Sequence, residues 1–174
     1  MTALPSKSAL PSESAPSPQS APAARARALG RELAEVHDEL RRSLREVRAG
    51  LADPDPAGPP ARSLRAHCAG FCAALARHHG TEDATAFPLL ARQAPELAPV
   101  LAELQADHEA IAGILRRIDE LTSAASPQNA GQVAGELDGL AAVLESHFRW
   151  EERRITAALD ALDPAAHPAA ELFG

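Results

Sequence analysis

The chain has 174 residues, 45% of them hydrophobic but only 3% aromatic and none of them tyrosine, and its formal net charge is −7. That length suits one domain with a real core, and a core so poor in rings must rest on Leu, Ala, Val and Ile, which favours helices. The acidic balance argues against a nucleic-acid partner, which needs a basic surface, and no apolar run approaches the roughly 18 residues of a membrane span.

Residues 1–24, "MTALPSKSALPSESAPSPQSAPAA", form a Pro/Ser/Ala tract with no periodic apolar face, and disorder is expected there. This start also lacks the basic-then-apolar pattern of a secretory signal, so a cytoplasmic protein is the simplest expectation. A first helix is predicted over residues 25–49, with Leu29, Leu33, Val36, Leu40, Leu44 and Val47 on one stripe, ended by Gly50 and "DPDPAGPP". A second is predicted over 61–91, with Leu64, Cys68, Phe71 and Leu75 leading into "RHHGTEDATAFPLL", where Pro88 removes a backbone donor and should kink or shorten the end. The third, over 97–121, carries Leu101, Leu104, Ile111, Leu115 and Ile118, and "TSAASPQNAG" breaks it. The fourth, over 131–162, carries Val133, Leu137, Leu140, Leu144, Ile155 and Leu159, and Asp163-Pro164 closes it. Residues 164–174 are expected to be a C-terminal tail. Four long helices with short connections predict an all-α, antiparallel up-down-up-down four-helix bundle over residues 25–163.

The seven histidines are not scattered. Each predicted helix has one on its apolar stripe: His37 between Leu33 and Leu40, His78 or His79 beyond Leu75, His108 between Leu104 and Ile111, and His147 beyond Leu144. A stripe fills roughly three of seven positions, so four such hits would arise by chance only about 3% of the time. One histidine alone would read as a satisfied core residue; four together do not. With helices alternating in direction, all four fall roughly 18–24 Å from the same end of the bundle. The imidazoles therefore converge on one layer.

Two carboxylates join them, since Glu82 follows His78 by four residues and Glu151 follows His147 by four, each pair sharing a helix face. An unpaired carboxylate in an apolar bundle carries a heavy desolvation cost, and cations relieve it. Bundle cores hold two metal ions in this way, with carboxylates between them and histidines at the sides. More than four mixed N and O donors favour iron, or less strongly manganese, over a closed tetrahedral zinc site.

The motifs "HDEL" at His37, "HHGTED…FP" from His78 to Pro88, "DHEAI" at His108 and "HFRWEE" at His147 resemble the hemerythrin-like family, or HHE cation-binding domain, over about residues 27–162. The ordered set across four helices is specific, whereas no single piece is. The resemblance implies two iron ions (Fe2+/Fe3+), with an oxo or hydroxo bridge as an option, bridging Glu82 and Glu151, and terminal ligands His37, His78, His108 and His147. It also implies an open position for dioxygen or peroxide. The oxygen carriers of the family have a further histidine four residues after the third-helix one; here that residue is Ala112. His79 is expected to replace it, and Glu152 is a weaker rival to Glu151.

Other residues read more plainly. His67 is three turns from His78, too far to ligate, and is expected in the core or lining a pocket. Cys68 and Cys72, one turn apart, form no disulfide framework and are expected to be small buried residues. His167 is expected in solvent. Asp107 and Glu109, beside His108, are candidates to hydrogen-bond a ligand's free imidazole N–H. Two functions follow from the resemblance: an oxidoreductase that activates dioxygen or decomposes peroxide, with room for a small-molecule substrate, or a non-catalytic protein that carries oxygen or senses oxygen or iron.

Overall fold

The computed structural model describes residues 20–52, 62–123 and 130–174. Among them the chain is all-helical, with no strand. Four long helices carry the predicted stripes: α1 (Ser20–Ala52), α2 (Arg62–Thr81), α4 (Ala98–Ser123) and α5 (Ala130–Leu159). Two short ones, α3 (Phe87–Gln93) and α6 (Ala169–Phe173), join them. Of the tail expected over 1–24, residues 1–19 lie outside the described residues, as do the "DPDPAGPP" loop and most of "TSAASPQNAG", whereas 20–24 are helical. Helix α1 begins at Ser20, ahead of the expected start, and runs past Gly50 to Ala52.

The stripes are buried as their spacing demands: Leu29, Leu33, Leu40, Leu44 and Val47 on α1, Leu101 to Ile118 on α4, and Val133 to Leu159 on α5. Helix α1 packs on α2 and α5, and α4 packs on α2 and α5. Hydrogen bonds between α1 and α5 or its C-terminal end fix their direction. Gly30 meets Asp160, His37 meets Glu152, Arg41 meets Glu145 and Arg48 meets Asp138, an antiparallel register. Asp107 with His147 and Arg117 with Glu136 show the same for α4 and α5.

The second predicted helix is not a single α-helix. Between α2 and α3 lies a π-helical turn, Glu82–Ala86, in which the Phe87 N–H bonds to the Glu82 carbonyl. Pro88 explains it. Within an α-helix its ring would meet the carbonyl four residues back, and it donates no hydrogen bond. A wider turn just ahead of it relieves the clash while the axis continues. The turn sits at the functional stretch rather than after it.

The apolar interior has two parts. One gathers Leu29, Leu33, Phe87, Leu90, Leu104, Ile155 and Leu159; the other gathers Leu40, Leu44, Phe71, Leu75, Ile111, Leu137, Leu144 and Phe148. Along α1, α4 and α5 the residues dividing them are His37, His108, and His147 with Glu151. A polar layer crosses the core.

The segment expected to be a C-terminal tail over 164–174 carries a short helix, α6, that packs on the bundle. Leu172 and Phe173 of α6 are buried with Leu29, Leu33 and Leu162 in the first apolar part. Nothing in the run "DPAAHPAAELFG" is periodic over enough residues to predict this. His167 is accordingly half-buried, not fully in solvent. His67, expected in the core or a pocket, is exposed, because the buried face of α2 at that turn is taken by Cys68.

Candidate metal centre

All seven residues singled out from the sequence as metal ligands meet in the polar layer. His37, His78, His79, Glu82, His108, His147 and Glu151 are each at most 5% exposed. Their donor atoms form three overlapping groups with every distance within 4.8 Å: His37, His78 and Glu82; His79, His108 and His147; Glu82, His108 and Glu151. The first two groups share no residue, so the layer has two halves.

Each half is pinned from outside. His37 Nδ1 lies 2.9 Å from Glu152 Oε1, His108 Nδ1 3.0 Å from Asp83 Oδ1, and His147 Nδ1 3.3 Å from Asp107 Oδ2. His78 Nδ1 lies 3.0 Å from the Phe173 carbonyl oxygen. Carboxylates and carbonyls accept hydrogen bonds, so each Nδ1 carries the proton and, in a neutral ring, Nε2 is a bare lone pair. Those bare atoms face one another, His37 to His78 at 3.0 Å and His108 to His147 at 3.2 Å. Two lone pairs so close repel. A cation between them turns both contacts into attraction.

The carboxylates present the same problem. Glu82 and Glu151 are fully buried, and all four of their oxygens lack a hydrogen-bond partner, as does His79 Nε2. Isolated buried charges of this kind cost several kcal/mol or more. Each carboxylate reaches both halves of the layer. Glu82 Oε1 is 3.4 Å from His78 Nε2 and its Oε2 3.7 Å from His108 Nε2, while Glu151 Oε2 is 3.4 Å from His37 Nε2 and 3.6 Å from His147 Nε2. The donor set thus fits bound cations, with the two acids placed between the halves of the layer.

Protonation follows the same geometry. Burial, then the neighbouring His37, lowers the pKa of His78 to about 4. Burial, then His147, lowers that of His108 to about 3. Burial and the nearby imidazoles lower His79 as well. These rings are neutral at physiological pH, as metal ligation requires. Burial alone would lower His37, but Glu151 and Glu152 outweigh it and raise its pKa. Glu82 is pushed well up by burial and by Glu151, whereas Glu151, which burial alone would raise, is pulled down by His37 and the other imidazoles. Burial pushes Asp83 up to about 6.

Around the layer, Arg41 bonds Glu152, Glu145 and Asp38 and lies 5.2 Å over the Phe148 ring, which in turn stacks on His37 at 4.0 Å. His79 stacks on His108, also at 4.0 Å. Glu152 is outside the layer, on the back of His37, so its place differs from that of Glu151. Of the two residues flanking His108, Asp107 does contact an imidazole, but that of His147 on α5; Glu109 is exposed. Asp83 and the Phe173 carbonyl were not foreseen. The first had a faint signal, an acid four residues after His79 on the α2 face; the second had none, because it is a main-chain atom brought in by α6.

Cys68 is buried and Cys72 half-buried, both as free thiols. Among the described residues no helix is long and apolar enough to cross a membrane.

A helical protein whose core is crossed by a layer of imidazoles and acids built for cations is a metal-binding bundle. Its family is defined more closely by sequence: the hemerythrin HHE cation-binding domain matches residues 28–163, and the chain belongs to that family. No curated protein and no solved structure gives a match.

Proposed function

We propose that the chain is a non-haem di-iron protein with an up-down-up-down hemerythrin-like bundle, which binds and activates dioxygen or peroxide as an oxidoreductase. In this reading His37 and His78 would hold one iron and His79, His108 and His147 the other, with Glu82 and Glu151 within reach of both. The observation that carries it is the convergence of bare Nε2 atoms and unpartnered carboxylate oxygens on one buried layer. Seven N and O donors exceed what a four-coordinate zinc site uses and suit two ions of higher coordination number. The two-histidine half has fewer protein donors than the three-histidine half, so a small oxidant would bind there.

Bound iron supplies the redox capacity that these side chains lack. The chain's own residues do the rest. Glu152, Asp83, Asp107 and the Phe173 carbonyl hold the rings in register, and the leucines above and below exclude water. The sequence contains no tyrosine, so no tyrosyl radical can relay an electron from the centre.

One observation favours a second reading, reversible oxygen carriage or sensing. His79, buried with a free Nε2 beside His108 and His147, restores a five-histidine, two-carboxylate set despite Ala112. Exposing anaerobic Fe(II)-loaded protein to air separates the two. Irreversible conversion to the ferric form supports the oxidoreductase; a visible absorption band that bleaches when oxygen is removed, over repeated cycles, overturns it in favour of carriage.

A further inference from the structure

Three of the four anchored histidines are held by acids on the long helices or the π turn. His78 differs, because its acceptor is a main-chain carbonyl, that of Phe173, outside the family-matched residues 28–163. We propose that the segment Ala169–Gly174 is a backbone clamp on one half of the metal centre, holding His78 in the Nδ1–H tautomer and the ring orientation that ligation beside His37 requires. The inference rests on the di-metal reading above.

The clamp is built into the fold at three points. Leu172 and Phe173 are 3% and 1% exposed and pack with Leu29, Leu33 and Leu162. Thr85 Oγ1 shares its single proton between the Thr81 carbonyl at 2.6 Å and the Glu171 carbonyl at 2.9 Å, so α6 touches the π turn that also carries Glu82. Gly174 has φ of +80°, and a Cβ there would come within 3.0 Å of Thr81 Oγ1, so the chain passes close over the end of α2. A five-residue helix does not form alone in water; tertiary contacts hold α6 in place. Because the contact is made by a carbonyl, it accepts only, and it forces the His78 proton onto Nδ1. Among the described residues no hydrogen bond, ion pair or ring contact joins this segment to His79, His108 or His147, so the clamp acts on one half.

Cobalt(II) titration of the full chain, read by stoichiometry, competition and the visible ligand-field spectrum, tests this against a chain ending at Pro168. The full chain is expected to bind two ions. The shortened chain is expected to keep its helical circular dichroism and one binding event at unchanged affinity. Its other event should weaken by about 10–100-fold, as loss of a ligand's hydrogen-bond partner does elsewhere, with a changed spectrum. Phe173→Leu, which keeps the carbonyl and an apolar anchor, should bind both ions nearly as the parent does. Two tight events in the shortened chain, or equal weakening of both, overturn the clamp. No cobalt bound by the full chain at all overturns the metal reading itself. Should the shortened chain unfold, Thr85→Val in the full chain decides: selective weakening of one event supports the clamp, and unchanged binding of both overturns it.

Discussion

Glu82 and Glu151 have four oxygens in the buried interior and no hydrogen-bond donor from the protein for any of them. In the absence of a cation that arrangement works against folding. Glu82→Gln is therefore expected to leave the metal-free protein at least as stable as its parent by thermal melting, while abolishing binding of the second metal. A clear loss of metal-free stability would mean that Glu82 serves the fold. His167→Ala, far from the layer in sequence and half-buried, should change neither metal content nor melting. Glu152→Gln keeps the shape beside His37 but weakens its grip on Nδ1, so metal affinity should fall by about 10-fold or more, measured by chelator competition. Burial pushes the Cys72 thiol up to about 11, so the reactive thiolate is scarce at neutral pH. Alkylation of Cys72 by iodoacetamide should be slow at pH 7.5 and should quicken steadily as pH rises towards 11. The histidine and glutamate positions were legible in the sequence because helix periodicity fixes which residues share a face. His79 was reached only through the resemblance, since periodicity alone does not choose between adjacent histidines. The acceptors behind the rings were mostly illegible, because they come from other elements.

At the scale of elements, the π turn is the feature that periodicity misses. A 3.6-residue repeat carried through "TEDATAFPLL" places Phe87 and Leu90 on the wrong face relative to His78; one extra residue in the turn returns both to the core. Deleting the exposed Ala84 would remove the extra residue of the turn, force Pro88 against the preceding carbonyl and rotate α3 by about 100° relative to α2. The expected cost is about 3–5 kcal/mol in denaturant unfolding, comparable to losing a buried phenylalanine, together with loss of the metal centre. The packing of α1 on α5 gives a second element-scale test. A Cβ on Gly30 would lie 2.5 Å from Thr156 Cγ2 and 2.8 Å from Asp160 Oδ1, whereas one on Gly139 meets nothing within 4 Å. Gly30→Ala should destabilise by about 1–3 kcal/mol, as overpacking does. Gly139→Ala should stabilise by up to about 1 kcal/mol through helix propensity. Proline at position 88 signals a local disturbance, but sequence alone could not say whether the helix would kink, end or widen. The answer depends on what Phe87 and Leu90 must pack against.

For the whole molecule, a polar layer divides one hydrophobic core into two, and cations would bind the folded state far better than the unfolded chain. Metal should therefore stabilise the fold by linkage, by about 2.7 kcal/mol at one hundred times the dissociation constant. At this chain length that corresponds to a melting shift of about 5–10 °C, removable with a chelator. The all-helical architecture and the level of the layer followed from stripe spacing and helix rise. The docking of α6 did not, because a five-residue segment leaves no periodic trace. The most direct test of the central claim is an anomalous difference map at the iron edge from crystals of Fe(II)-reconstituted protein. Two peaks are expected in the layer, one beside His37 and His78 and one beside His79, His108 and His147, with Glu82 and Glu151 reaching both. A map with no peak among these residues, or with iron only at the surface, would contradict the account.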